Sequence, residues 1–134
     1  MMTTNARAAY LDASVATASP ARLLVMLLER LVLDVQRGLA AQRSGDLEET
    51  HRHLVHAQDI LLELQASLRA DQFKGGYDLA ALYGFLHRQL VMANVHKDAT
   101  ITDEVLALVT DLCDTWREAA LALAAEPAVL QRGA

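Results

Sequence analysis

The sequence predicts an all-α protein, an antiparallel up-and-down four-helix bundle with an N-terminal arm or short extra helix. Three observations point there. The composition is 53% apolar but only 4% aromatic, and six Gly and two Pro are too few to punctuate a sheet-rich chain, so helices are favoured. Apolar residues return at three- and four-residue spacing in four separate stretches. Between those stretches lie helix caps and Gly-containing turns. At 134 residues the chain fits one domain, which at this size buries roughly two thirds of its unfolded surface. A core therefore forms without disulfide or metal staples.

Residues 1–18 are rich in Thr, Ala and Ser and carry Tyr10, Leu11 and Val15 without a sustained period. They read as an arm. Ser19-Pro20 is a helix start, because the Ser oxygen accepts an orphan N–H and a proline at the first helical position loses no needed donor. The first helix is expected from about Pro20 to Arg43. Ser44-Gly45 gives a left-handed exit, and Asp46 caps a second helix over about Leu47 to Ala70, with Glu48 and Glu49 against its positive end. Asp71 to Gly76 reads as a turn. Leu79, Leu82, Tyr83, Leu86, Leu90 and Ala93 then mark a third helix ending near Lys97. Ile101, Val105, Leu108, Leu112, Trp116, Ala119 and Leu123 mark a fourth, which Pro127 is expected to close. The domain reading is thus an arm over 1–18, a bundle over 19–126 and a tail over 127–134.

Charge and cysteine usage exclude several classes of function. With a net charge of −5 the chain lacks the clustered Lys and Arg that phosphate backbones demand, so no nucleic-acid partner is expected. Cys113 has no second cysteine to pair with, and Met1 to Ala9 lacks the apolar stretch of a signal peptide, which together predict a cytoplasmic location. The most apolar run, Leu23 to Val35, is broken by Glu29, Arg30 and Asp34 and falls short of the ~20 residues a membrane helix needs. No membrane insertion is expected.

The chemical readings are equally spare. His51, His53 and His56 share one helix, but only His53 and His56 stand three apart on one face. A carboxylate di-iron bundle needs two Glu-x-x-His motifs, and Glu48 with His51 supplies one. Solvated histidines are the simpler reading, and no metal or other cofactor is expected. Cys113 shares a helix face with Val109 and Trp116 and reads as a small buried hydrophobe, not a nucleophile. Gly75-Gly76 lacks both the preceding strand and the following Lys-Ser or Lys-Thr of a phosphate loop. His87 and His96, with Arg88 and Lys97, read as a solvated stripe, and Trp116 as a core anchor first and a partner contact second. No catalytic residue is assigned, so the chain is not expected to be an enzyme.

What stands out is surplus apolar surface. A core-facing helix needs about three apolar positions in seven, whereas Leu23 to Leu28 are apolar in succession and Ile60, Leu61, Leu62 and Leu64 occupy more than one side of their helix. Such a surplus calls for self-association or for an apolar partner chain.

Several patterns fall in one order along the chain. Tyr10 and Val15 precede Thr17-Ala18-Ser19-Pro20 and the run Leu23 to Leu27. Ala57-Gln58-Asp59-Ile60-Leu61-Leu62-Glu63-Leu64 is followed by the Gly75-Gly76 turn, Leu82-Tyr83 and Phe85, then Leu90, Ala93-Asn94 and Asp98, and finally Asp114 with Trp116. From about Tyr10 to Ala120 this resembles the FliS family of flagellin export chaperones. It departs at Leu28-Glu29-Arg30, where the family often has an aromatic, an acidic residue and a Gly, and at Tyr77, which follows Gly76 where the family frequently has Glu.

The resemblance implies a cytosolic chaperone that holds the disordered C-terminal segment of flagellin as helices along apolar grooves. That would prevent premature polymerisation and keep flagellin fit for export. It implies contact with the flagellar export gate, no nucleotide, and an arm lying over part of the groove when flagellin is absent. The partner-binding residues it points to are Ile60, Leu61, Leu64, Leu68, Tyr83, Leu86, Leu90 and Asn94, with Tyr10, Leu11 and Val15 on the arm. A generic helical homodimerisation module remains the second reading of the same apolar surplus.

Overall fold

The computed structural model describes residues 19–133, with the side chains of 124 and 126–133 left aside. Four helices follow one another: α1 (Pro20–Ser44), α2 (Leu47–Ser67), α3 (Gly76–Val95) and α4 (Ala99–Gly133), with a short 3₁₀ turn at Ala70–Gln72. No strand occurs among the described residues. The all-α four-helix reading therefore holds, and the arm at 1–18 lies outside the described residues.

The caps behave as their chemistry dictates. Ser19 Oγ accepts the Arg22 N–H at 3.2 Å, with Pro20 opening α1. At the other end Gly45 takes φ 77°, and the Gly45 and Asp46 N–H groups donate to the Gln42 and Ala41 carbonyls, a Schellman-type closure. Asp46 Oδ1 then accepts the Glu49 N–H at 3.1 Å and starts α2.

Three helix ends differ from expectation. α2 stops at Ser67, not Ala70, because the chain must turn back: the Ala70 carbonyl sits where a side chain on Gly76 would be, so the 3₁₀ turn folds onto the start of α3. α3 ends at Val95, two residues before Lys97, which is left-handed at φ 54°, and the Asp98 N–H reaches back to the Ala93 carbonyl. α4 does not close at Pro127 but runs on to Gly133. One proline removes a single N–H and weakens a helix by about 3 kcal/mol. The surrounding alanines, the best helix formers, allow it to continue.

α1 packs on α2 and α4, and α3 packs on the same two, so the helices form a four-membered ring around one core. Leu28, Leu31 and Val35 meet Leu54, Leu61 and Leu64, Leu86 and Leu90, and Val105 and Val109 there. Gly38 brings α1 and α2 close, since a Cβ at that position would meet Leu54 Cδ2 at 2.5 Å.

The two ends of the ring are built differently. Where α1 and α3 finish, Gln42 donates to the Ala93 carbonyl at 3.1 Å and accepts from the buried Thr102 hydroxyl at 2.6 Å, tying three helices. Asn94 and His51 bridge α2 and α3 beside it at 2.9 Å. Toward the opposite end the described residues show an exposed ion pair between α1 and α4, Glu29 with Arg117 at 3.7 Å, and no side-chain hydrogen bond between helices.

Candidate functional site

At that opposite end, the start of α1, the end of α2 and the start of α3 diverge around an apolar cleft of about 530 Å³. Leu23, Leu24 and Leu27 form one wall, Leu64 and Leu68 the second, and Leu79 and Tyr83 the third, with Trp116 of α4 and Phe73 of the turn completing it. Polar groups stand at the margin, among them Glu63, Ser67, Arg69 and Gln72. The geometry follows from local rules. α2 ends early, and the chain needs eight residues to reach α3, so no helix among the described residues fills the space above Leu64 and Tyr83.

Of the buried residues lining the cleft, Tyr83 is the polar one, and burial pushes its pKa up to about 12. At neutral pH the cleft wall there carries no charge. Such a surface suits aliphatic and aromatic side chains of a helix, with the margin available to polar flanks.

The expected partner-binding residues fall in different places. Leu64, Leu68 and Tyr83 line the cleft. Ile60, Leu61, Leu86 and Leu90 lie inside the bundle, Leu61, Leu86 and Leu90 with no exposed surface. Asn94 is half-buried at the stitched end, where it donates to His51 Nδ1. Tyr10, Leu11 and Val15 lie outside the described residues.

Leu23, Leu24, Leu27, Phe73 and Leu79 line the cleft outside the expected set, and Trp116, read as core first and partner contact second, lines it with them. The signal for three of them was present in the unbroken apolar run Leu23 to Leu28, too wide for one core face. Trp116 is only half-buried and serves core and cleft together.

A second apolar surface runs along the outer side of α3. Tyr77, Phe85, Met92 and Val95 are 72%, 41%, 45% and 67% exposed, at spacings that place them on one side of the helix. α3 thus carries apolar side chains on its outer side as well as its buried one, with the exposed Arg88 set among them between Phe85 and Met92.

The chemistry-bearing residues are occupied elsewhere. His56 is not merely solvated: its Nδ1 bonds Asp34, which is completely buried on α1 and also meets Arg30 at 3.2 Å. His53 faces Glu49 at 3.2 Å, and the Arg52 guanidinium bonded to Glu49 holds that carboxyl below the usual range. Among the described residues no three His, Cys, Asp or Glu side chains are placed to hold a metal. Cys113 is buried, and desolvation pushes its thiol up, away from the reactive thiolate. No helix among them is long and apolar enough to cross a membrane.

Comparison with known proteins agrees with this architecture. Residues 2–123 match the family model described as flagellar protein FliS. The chain is 32% identical over 115 residues to the flagellar secretion chaperone FliS of Bacillus subtilis, covering 86% of each chain. It is 31% identical over 111 residues to that of Salmonella typhimurium, covering 80% of this chain and 81% of the relative. With the Vibrio cholerae chaperone it shares 27% over 109 residues, 78% of each. The chain therefore belongs to the FliS family of flagellar proteins.

Proposed function

We propose that this protein is an export chaperone for flagellin, holding the apolar C-terminal segment of flagellin as helix in the end cleft. The observation that carries the reading is the cleft itself. An apolar mouth that no described residue among 19–133 fills, at the end of the bundle without interhelical side-chain hydrogen bonds, costs solvation unless a partner covers it. A disordered segment that folds on binding loses several kcal/mol to ordering, so its grip must come from apolar contact of this kind.

In this reading Leu68 contacts the client directly, together with Leu24, Leu27 and Trp116, and the buried Leu64 and Tyr83 form the floor beneath it. Tyr10, Leu11 and Val15 join them from the arm, which enters the bundle at Ser19 beside the cleft. Ile60, Leu61, Leu86, Leu90 and Asn94 act from behind, by holding the walls in place. The protein is a binding partner and not an enzyme. It works in the bacterial cytosol and hands its client to the flagellar export gate.

Capture of flagellin with and without its C-terminal segment tests this. Full-length flagellin is expected to co-purify and the truncated form to be lost. Equal capture of both forms would overturn the proposal.

The exposed outer side of α3 favours a second reading, a homodimer formed through Tyr77, Phe85, Met92 and Val95. Sedimentation that depends on concentration, abolished by Phe85→Glu, is the outcome expected of it.

A further inference from the structure

The cleft has one wall unlike the others. Three of its sides are helices, whereas the fourth is the connection between α2 and α3, which contributes Leu68, Arg69, Gln72 and Phe73. We propose that this connection is a strap that closes over a bound apolar segment, with Phe73 as the side chain that grips it. The inference rests on the cleft being the client site.

Exposure is the first observation. Phe73 lines the cleft yet remains 43% exposed, in an extended backbone conformation at φ −152° and ψ 158°. A large aromatic turned half into an apolar mouth and half into water gains from any partner that covers its outer half.

The second observation is how the strap is held. Its backbone hydrogen bonds are local, spanning three or four residues: Leu68 N–H to Gln65 at 3.4 Å, Gln72 to Arg69 at 3.0 Å, Gly76 to Phe73 at 3.2 Å and Leu79 to Gly75 at 3.0 Å. The side-chain hydrogen bonds and ion pairs among residues 19–133 include none from residues 68–75. Residues 71–75 are all exposed. Few long-range bonds and an exposed backbone are what a segment that opens at low cost looks like.

The third observation is a pair of pivots. Leu68 is extended as it leaves α2, and Gly75 is left-handed at φ 82° as α3 begins. Between them the Ala70 carbonyl rests on Gly76 and makes a small closed loop with Phe73 at its tip. In the proposed closure Phe73 at the tip moves toward Leu24 and Trp116 while the Ala70 carbonyl stays on Gly76. The occupant it fits is a helix whose apolar side chains enter beside Phe73.

The test uses the full chain and a synthetic peptide carrying the C-terminal segment of flagellin. In wild type, the amides of residues 69–75 are expected to gain at least about tenfold protection from hydrogen exchange on binding. Phe73→Ala is expected to release the peptide about tenfold faster, with little change in association rate. Leu123→Ala, exposed on α4, serves as the unaffected control, and circular dichroism of the free variants checks that both are folded. If the peptide binds while residues 69–75 exchange as before, the strap is overturned and the cleft reading stands. Release from Phe73→Ala at the wild-type rate has the same meaning. Absence of binding to wild type overturns both.

Discussion

Asp34 is the residue whose energetics the structure changes most. It is completely buried on α1, with Arg30 on its own helix and His56 on α2 as partners, each about half exposed. Burial makes the pair asymmetric. Removing the carboxylate leaves Arg30 and His56 where water can reach them, so Asp34→Ala is expected to cost only about 1–2 kcal/mol. Removing both partners strands the buried carboxyl without a hydrogen-bond or ion-pair partner, and the double variant Arg30→Ala with His56→Ala is expected to cost about 3–5 kcal/mol. Urea denaturation at neutral pH measures both, and equal losses would show that Asp34 is better solvated than its burial implies.

Tyr83 carries a second consequence at this scale. Burial raises its pKa from 10 to about 12, so the folded state keeps the proton that the unfolded state releases first. Stability from the neutral hydroxyl is therefore full below pH 10 and lost between pH 10 and 12. The loss is of the order of 2–3 kcal/mol, about 1.4 per pH unit. Tyr83→Phe is expected to remove this share of the alkaline decline. Identical denaturation curves for the two proteins across that window would refute it.

For the helices and turns, local chemistry decided most boundaries. Ser19, Gly45 and Asp46 cap and close through residues only three to five apart, so their roles could be read without knowing the neighbours. The early end of α2 could not be read this way, because it depends on the Ala70 carbonyl resting against Gly76. Two glycines should consequently respond in opposite directions. At Gly76 a Cβ would run into backbone, so Gly76→Ala is expected to lower stability by about 2 kcal/mol or more. At Gly84 the nearest atoms are the tips of Gln65 and Arg88, at 3.2 and 3.3 Å, and these can swing aside. Gly84→Ala is expected to gain about 0.5–1 kcal/mol from helix propensity. Thermal melts of the two variants would show the contrast, and a shared sign would contradict it.

Across the whole molecule, the bundle separates a stitched end from an open one, and that division governs which leucines serve the client. Leu61 is fully buried midway along the core, whereas Leu24 is half-buried at the cleft. Leu61→Glu places a charge where nothing can pair with it and is expected to unfold the bundle, seen as lost helicity. Leu24→Glu can turn its carboxylate to solvent, so helicity should persist while flagellin peptide binding falls by at least about tenfold, or 1.4 kcal/mol. Circular dichroism and calorimetry on the pair decide it: peptide binding by a folded Leu61→Glu would show that the core assignment is mistaken.

What the amino-acid order determined by itself was the all-α class, the number of helices, most of their ends and the FliS resemblance. These rest on composition, on three- and four-residue periodicity and on caps, all of which act over short stretches of chain. Only the tertiary structure decided that Leu61, Leu86 and Leu90 are core, that Leu23, Leu24, Leu27 and Phe73 surround a cleft, and that Asp34 is buried with His56. An apolar stripe shows that a helix has a face to cover. Which neighbour covers it, and where along the bundle the covering stops, depends on helix lengths and register set by residues far apart in the chain.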